Sequence, residues 1–132
     1  MEPKTHLQAD PGLCGTLLAL DEGSARVALD ATGSMAVDAR GLIHGGFVFG
    51  LADYAAMLAV NDPNVVLGAA ETRFLKPVRV GDRMIARART LDVTGRKREV
   101  RVEANVNSEK VFEGTFTCFV LERHVLEEAG SK

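Results

Sequence analysis

Gly41-Leu-Ile-His-Gly-Gly-Phe-Val-Phe-Gly-Leu-Ala-Asp-Tyr-Ala-Ala-Met-Leu-Ala-Val60 reads as a helix that is apolar on nearly every side. Such a helix has to be buried. It opens on Gly45 and Gly46, directly after His44, and carries one carboxylate, Asp53, in its middle. Burying an unpaired charge is costly, so Asp53 needs a reason. The helix is expected to start at about Gly45. It stops at Asn61-Asp-Pro-Asn64, because Pro63 cannot continue it and pushes Asp62 out of helical geometry.

The flanks read as strands. Leu13 to Leu20 and Ala25 to Leu29 are two short ones around the hairpin signal Asp21-Glu-Gly-Ser24. After the helix, Val65 to Pro77 is a strand interrupted by Gly68. Three longer segments alternate with period two, over Met84–Leu91, Arg96–Asn107 and Lys110–Leu121. Such alternation marks half-buried antiparallel strands. Residues 1–12 and 122–132 are polar, and are expected to be an irregular lead-in and a frayed tail. An apolar sheet face needs a cover, and only one helix is available. The expectation is an α+β fold, an antiparallel sheet curved around one central helix. One domain spans 1–132, with its core over about 13–121. The far side of an all-apolar helix also needs covering, and a second copy of the chain is the simplest cover.

The net charge of −2 hides an asymmetry. Residues 73–101 carry a balance of +7, and the rest of the chain −9. A local basic stretch in an acidic protein suits an anionic ligand, or it is a solvated strand face. The arginines alternate along strands and aromatics are few, which argues against nucleic acid. The longest apolar run is short and broken by Asp53, which argues against a membrane span. The N-terminus lacks a basic-then-apolar leader, so a cytoplasmic protein is expected. Cys14 and Cys118 are expected to be free thiols inside the fold. No metal-ligand cluster is visible.

Three features together resemble the hotdog-fold acyl-CoA thioesterases, nearest to the phenylacetate-pathway type. The first is Gly41-Leu-Ile-His44-Gly45-Gly46, nine residues ahead of Asp53. The second is Phe74-Leu-Lys-Pro77-Val-Arg-Val-Gly81-Asp82, like the family's turn after its first long strand. The third is the strand–helix–strands order over about residues 13–121. The resemblance implies a hotdog fold, dimers whose sheets join edge to edge, and often tetramers. It implies acyl-CoA as substrate, with no cofactor beyond the coenzyme A of the substrate itself. There are two departures. Asp38 stands where members of this group often carry Asn. No Ser or Thr lies at Leu67 to Ala70, and Thr72 is the first hydroxyl of that strand.

Thioester hydrolysis needs an oxyanion stabiliser and a nucleophile or base. The leading N–H groups of a buried helix are free and lie at its positive end. Gly46 is the expected main oxyanion donor with Gly45 in support, and neither has a side chain to block a thioester. The plainer reading is a tight loop-to-helix entry. Asp53 is the expected nucleophile or general base, and Gly46, Gly50, Asp53 and Met57 fall on roughly one face. Asp53 lies roughly 10 Å along the axis from the first N–H groups, so one chain cannot easily serve its own site. Two antiparallel helices across a dimer axis pair them. His44 is expected to orient or anchor rather than act as a base, and His6 and His124 carry no signal. Arg73, Lys76, Arg79, Arg96, Lys97 and Arg98 are candidates for the coenzyme A phosphates. The alternatives are a non-catalytic acyl-CoA-binding hotdog domain, of the kind found in transcription regulators, and a hotdog dehydratase. No paired His and acid in the dehydratase arrangement is seen.

Overall fold

The structure, a computed structural model, describes residues 1–130, with side chains described through residue 127. In chain order the elements are α1 (Pro11–Cys14), β1 (Thr16–Asp21), β2 (Ser24–Asp30), a 3-10 turn (Gly33–Met35), α2 (Gly45–Val60), β3 (Val65–Phe74), β4 (Arg83–Thr94), β5 (Lys97–Val106), β6 (Glu109–Val120) and α3 (Val125–Gly130). The strands form one antiparallel sheet in the order β1-β2-β4-β5-β6-β3.

Period-two alternation explains the sheet. Val27, Met84, Ala86, Val100, Val102, Ala104, Phe112 and Phe116 face inward and are fully buried, while their neighbours Arg26, Arg87 and Glu103 face outward. The inward face packs on α2, whose Leu51, Ala52, Ala55, Ala56, Met57 and Leu58 are buried in turn. The small alanine side chains along this helix let the sheet approach its backbone closely. Burying Leu51, Met57 and Leu58 contributes about 1.5–3 kcal/mol each. The result is the expected hotdog arrangement, one curved antiparallel sheet around one central helix.

The helix limits follow the sequence signals. Asn61 caps the C-terminus in the left-handed region (φ 51°), with its N–H donating to the Met57 carbonyl at 2.8 Å. The β5–β6 turn uses Asn107 and Ser108, both at positive φ, as a two-residue hairpin requires. Gly68 marks a β-bulge between Leu67 and Ala69, where a Cβ would lie 2.5 Å from the Phe119 ring.

Both chain ends differ from expectation. Residues 11–14 form a helical turn, so the first strand begins at Thr16 rather than Leu13. Residues 125–130 form a helix where fraying was expected; residues 131–132 lie outside the described residues. The lead-in is irregular but docked. Asn61 Nδ2 donates to the Glu2 carbonyl at 3.0 Å, and the Lys4 N–H donates to Asn61 Oδ1 at 2.7 Å. Thr5 is buried. These partners are far apart in the chain, beyond any local sequence signal.

Gly15 closes the join between this segment and the sheet. Its φ is +117°, and a Cβ there would lie 2.7 Å from Val27 Cγ1 and 2.9 Å from the Ala28 carbonyl oxygen. Gly15→Ala is therefore expected to destabilise the protein by about 1–3 kcal/mol, seen as a lower urea midpoint. An unchanged midpoint would show that the backbone there yields freely.

Candidate active site

α2 brings the site residues to one side of the molecule. Gly46 is exposed, and Gly50 and Asp53 are half-buried on the same face, whereas Met57, expected to share it, is buried. A Cβ at Gly50 would meet nothing within 4 Å, so the helix face one turn before Asp53 is open. Asp53 Oδ1 is buried and has no hydrogen-bond partner among the described residues. It is in no salt bridge among them either. Burial raises the Asp53 pKa above 3.8, and the charge of His6 opposes that shift.

His6, which carries no signal in the sequence, thus lies close enough to act on Asp53. It sits at φ +57°, with Nδ1 2.8 Å from Thr5 Oγ1 and its ring 6.4 Å from that of Tyr54. The docked lead-in brings it there. His6 keeps solvent access, yet desolvation by its neighbours lowers its pKa, and Asp53 acts in the opposite direction. Cys14 and Cys118 belong to the same neighbourhood. Burial first, and the Asp53 charge second, raise both thiols, Cys118 to about 12. Both are free cysteines, as expected, and are held as thiols rather than thiolates.

At the helix N-terminus, His44 is the cap. Its Nδ1 accepts the Gly46 N–H at 2.7 Å. An accepting Nδ1 carries no proton, which places the ring proton on Nε2. The expected main oxyanion donor is therefore occupied by an exposed side chain, which must swing aside before Gly46 can meet a ligand. The Gly45 N–H has no hydrogen-bond partner among the described residues. Gly45 lies against Phe74 at the end of β3, with its Cβ position 3.3 Å from the ring. Because β3 is a sheet edge, the helix start opens at that edge. A depression of about 360 Å³ there is lined by Leu42, Gly45, Val48, Phe74, Leu75 and Lys76 among others. Phe74 is 55% and Leu75 43% exposed, a large apolar surface beside the helix start. Asp38 accepts the N–H groups of Arg40 (3.0 Å) and Leu42 (3.2 Å), and so shapes the loop leading to His44.

The basic candidates do not form one patch. Arg73 is at the end of β3 opposite Glu113, and Lys76 and Arg79 follow it towards the helix start. Arg96 in the β4–β5 turn and Lys97 and Arg98 at the start of β5 lie at the other end of the strands, where Lys97 pairs with Phe119. The length of β6 between Glu113 and Phe119 separates the two groups by about 20 Å. Lys76 pairs with Glu109 at 3.1 Å, Arg96 pairs with Glu122, and Arg98 donates to the Gly95 carbonyl at 2.7 Å. The side chains of Arg73, Arg79 and Lys97 have no such partner among the described residues.

Residues 40–112 match the sequence profile of the Thioesterase superfamily. Among solved structures, an uncharacterized protein from Pyrococcus horikoshii is 52% identical, with a TM-score of 0.94, covering 96% of this chain and 97% of that one. A point mutant of the phenylacetic acid degradation protein PaaI from Thermus thermophilus is 32% identical with a TM-score of 0.76, covering 83% of this chain and 95% of that one. Two curated relatives carry other names. Methylthioribose-1-phosphate isomerase from Aquifex aeolicus is 49% identical over 92% of this chain, but the match spans only 27% of that protein. Transcription factor FapR from Caldanaerobacter subterraneus is 29% identical over 95% of this chain and 62% of its own length.

Proposed function

The chain belongs to the thioesterase superfamily, and we propose that it hydrolyses acyl-CoA or aryl-CoA thioesters as a cytoplasmic homodimer or as a homotetramer of two such dimers. The observation that carries the proposal is Asp53. A half-buried carboxylate with one oxygen unpartnered and no ion pair among the described residues has no partner that explains it structurally, and Gly50, one turn before it on the same helix face, leaves open space.

In the proposed reaction the thioester carbonyl oxygen takes the Gly45 and Gly46 N–H groups, displacing His44 from Gly46. Asp53 of the other copy either removes a proton from water, so that hydroxide adds to the carbonyl carbon, or adds to that carbon itself. The C–S bond then breaks and the thiolate of coenzyme A leaves, taking up a proton. An anhydride formed by the second route is opened by water. Protein groups and one water supply these steps. A base whose pKa is raised by burial is also the stronger base. Arg73, Lys76 and Arg79, near the helix start, are the proposed phosphate ligands; the Arg96–Arg98 turn serves only across a subunit boundary.

His6 is assigned a tuning role. In its charged form it lowers the Asp53 pKa. His6→Asn, which tolerates the positive φ, is expected to move the acid limb of kcat/KM to higher pH. A limb that stays in place would remove His6 from the account.

The likeness to a transcription factor favours a second reading, a non-catalytic acyl-CoA-binding domain. A hydrolysis assay over a panel of acyl- and aryl-CoA thioesters separates the two. Turnover that depends on Asp53 supports the enzyme. Tight binding of a thioester with no turnover of any supports the binding domain.

A further inference from the structure

The outer face of the sheet, away from α2, carries a cluster of arginines that the thioester site does not use. Arg26 on β2 stands directly opposite Arg87 on β4, and Arg89 on β4 stands directly opposite Arg101 on β5. Like charges placed opposite each other in a sheet are destabilising. Arg26, Arg87 and Arg89 are exposed and have no carboxylate partner among the described residues. Arg101 pairs with Glu113 at 3.0 Å and with Glu103 at 4.0 Å, so the three unpaired arginines are the principal ones of the cluster.

These side chains surround a depression of about 490 Å³, which Ser24 and Asn105 also line. That volume falls in the range of small-molecule sites. Asn105 Oδ1 is buried and has no hydrogen-bond partner among the described residues. Asp21 and Glu103 are the acidic residues of the lining, and Glu103 is bound to Lys110 at 2.9 Å. Positive charge therefore exceeds negative at the depression itself. Arg87 and Arg89 are about 7 Å apart along their strand, and each opposing pair is separated by about 5 Å. Guanidinium groups spaced this way match two linked phosphates better than one, because each can present a planar fork to a different phosphate.

We infer that the outer sheet face around Arg26, Arg87, Arg89 and Arg101 is a binding site for a diphosphate-bearing small molecule of nucleotide size. The sheet lies between this site and Asp53. A ligand here acts on the thioester site only through the sheet or the assembly. The source is either a free nucleotide or the nucleotide end of a second coenzyme A molecule.

The test is calorimetric titration of the full chain with inorganic pyrophosphate, ADP and coenzyme A. It compares wild type, the double variant Arg87→Gln/Arg89→Gln, and Arg123→Gln, which removes an exposed charge elsewhere. The expected result is saturable ADP binding at one site per chain, weakened at least tenfold in the double variant and unchanged in Arg123→Gln. ADP and coenzyme A competing for that site name coenzyme A as the source; independent binding names a free nucleotide. Circular dichroism checks that the double variant is folded. No saturable binding of pyrophosphate or ADP, or equal binding by the folded double variant, overturns the inference. So does a double variant that changes only its sedimentation, since the cluster is then an interface between copies.

Discussion

Asp53→Asn is expected to lower kcat/KM for an acyl-CoA thioester by about 10²–10⁴-fold, while making the protein more stable at neutral pH. Both effects have one cause. Burial raises the Asp53 pKa, so the folded state favours the protonated acid more than the unfolded chain does. The stability associated with such a group is present below its unfolded pKa and lost as pH rises through the folded one. At neutral pH the ionised carboxylate, with Oδ1 unpartnered, opposes folding. An uncharged amide relieves about 1 kcal/mol of that cost, roughly 3–5 °C in Tm. The gain in Tm should shrink as the pH approaches 3.8 from above, because wild-type Asp53 is then neutral too. In wild type, the acid limb of kcat/KM should lie above the pH expected for an ordinary Asp, because the base must be ionised to work. A variant that keeps its turnover removes Asp53 from the chemistry. One that loses turnover and stability together makes Asp53 a structural residue.

Gly46→Leu is expected to lower kcat by about 10²–10³-fold, the scale of losing one oxyanion donor, with the chain still folded. A Cβ at Gly46 meets only the His44 ring, at 2.7 Å, and that side chain is exposed and free to turn. The substitution therefore fills the helix mouth without touching the core. Leu is also a better helix former than Gly, so a large fall in Tm is not expected. Unimpaired turnover in Gly46→Leu would mean that the thioester does not approach the helix start.

The elements that alternate or punctuate strongly are legible in the sequence. α2 can be placed from about Gly45 to the Asn61-Asp-Pro-Asn64 stop because Gly45-Gly46 opens it and Pro63 forbids its continuation. The inward sets of β4, β5 and β6 follow from period two. The chain's beginning is not legible, because its structure is made by contacts to Asn61 and Tyr54, far away in the chain. That is why His6 reads as a terminal residue with no signal, whereas its ring lies 6.4 Å from that of Tyr54 and its charge acts on Asp53. The His44 cap is hidden for a different reason. Gly-Gly after His reads equally as a blocked or an open helix start, and only the rotamer decides. The basic stretch misleads by being continuous in sequence, since the length of β4 carries its second group to the other end of the sheet.

In the proposed enzyme each site takes Asp53 from one copy and Gly46 from another. Mixing Asp53→Asn with Gly46→Leu under conditions that exchange subunits tests it most directly. A mixed dimer then holds one intact site and one doubly broken one, so an equal mixture is predicted to recover about a quarter of wild-type activity. If Asp53 and Gly46 serve within one chain, every site in every dimer carries a defect. Activity that stays at the level of the separate variants, with exchange shown by mass spectrometry, would contradict the account.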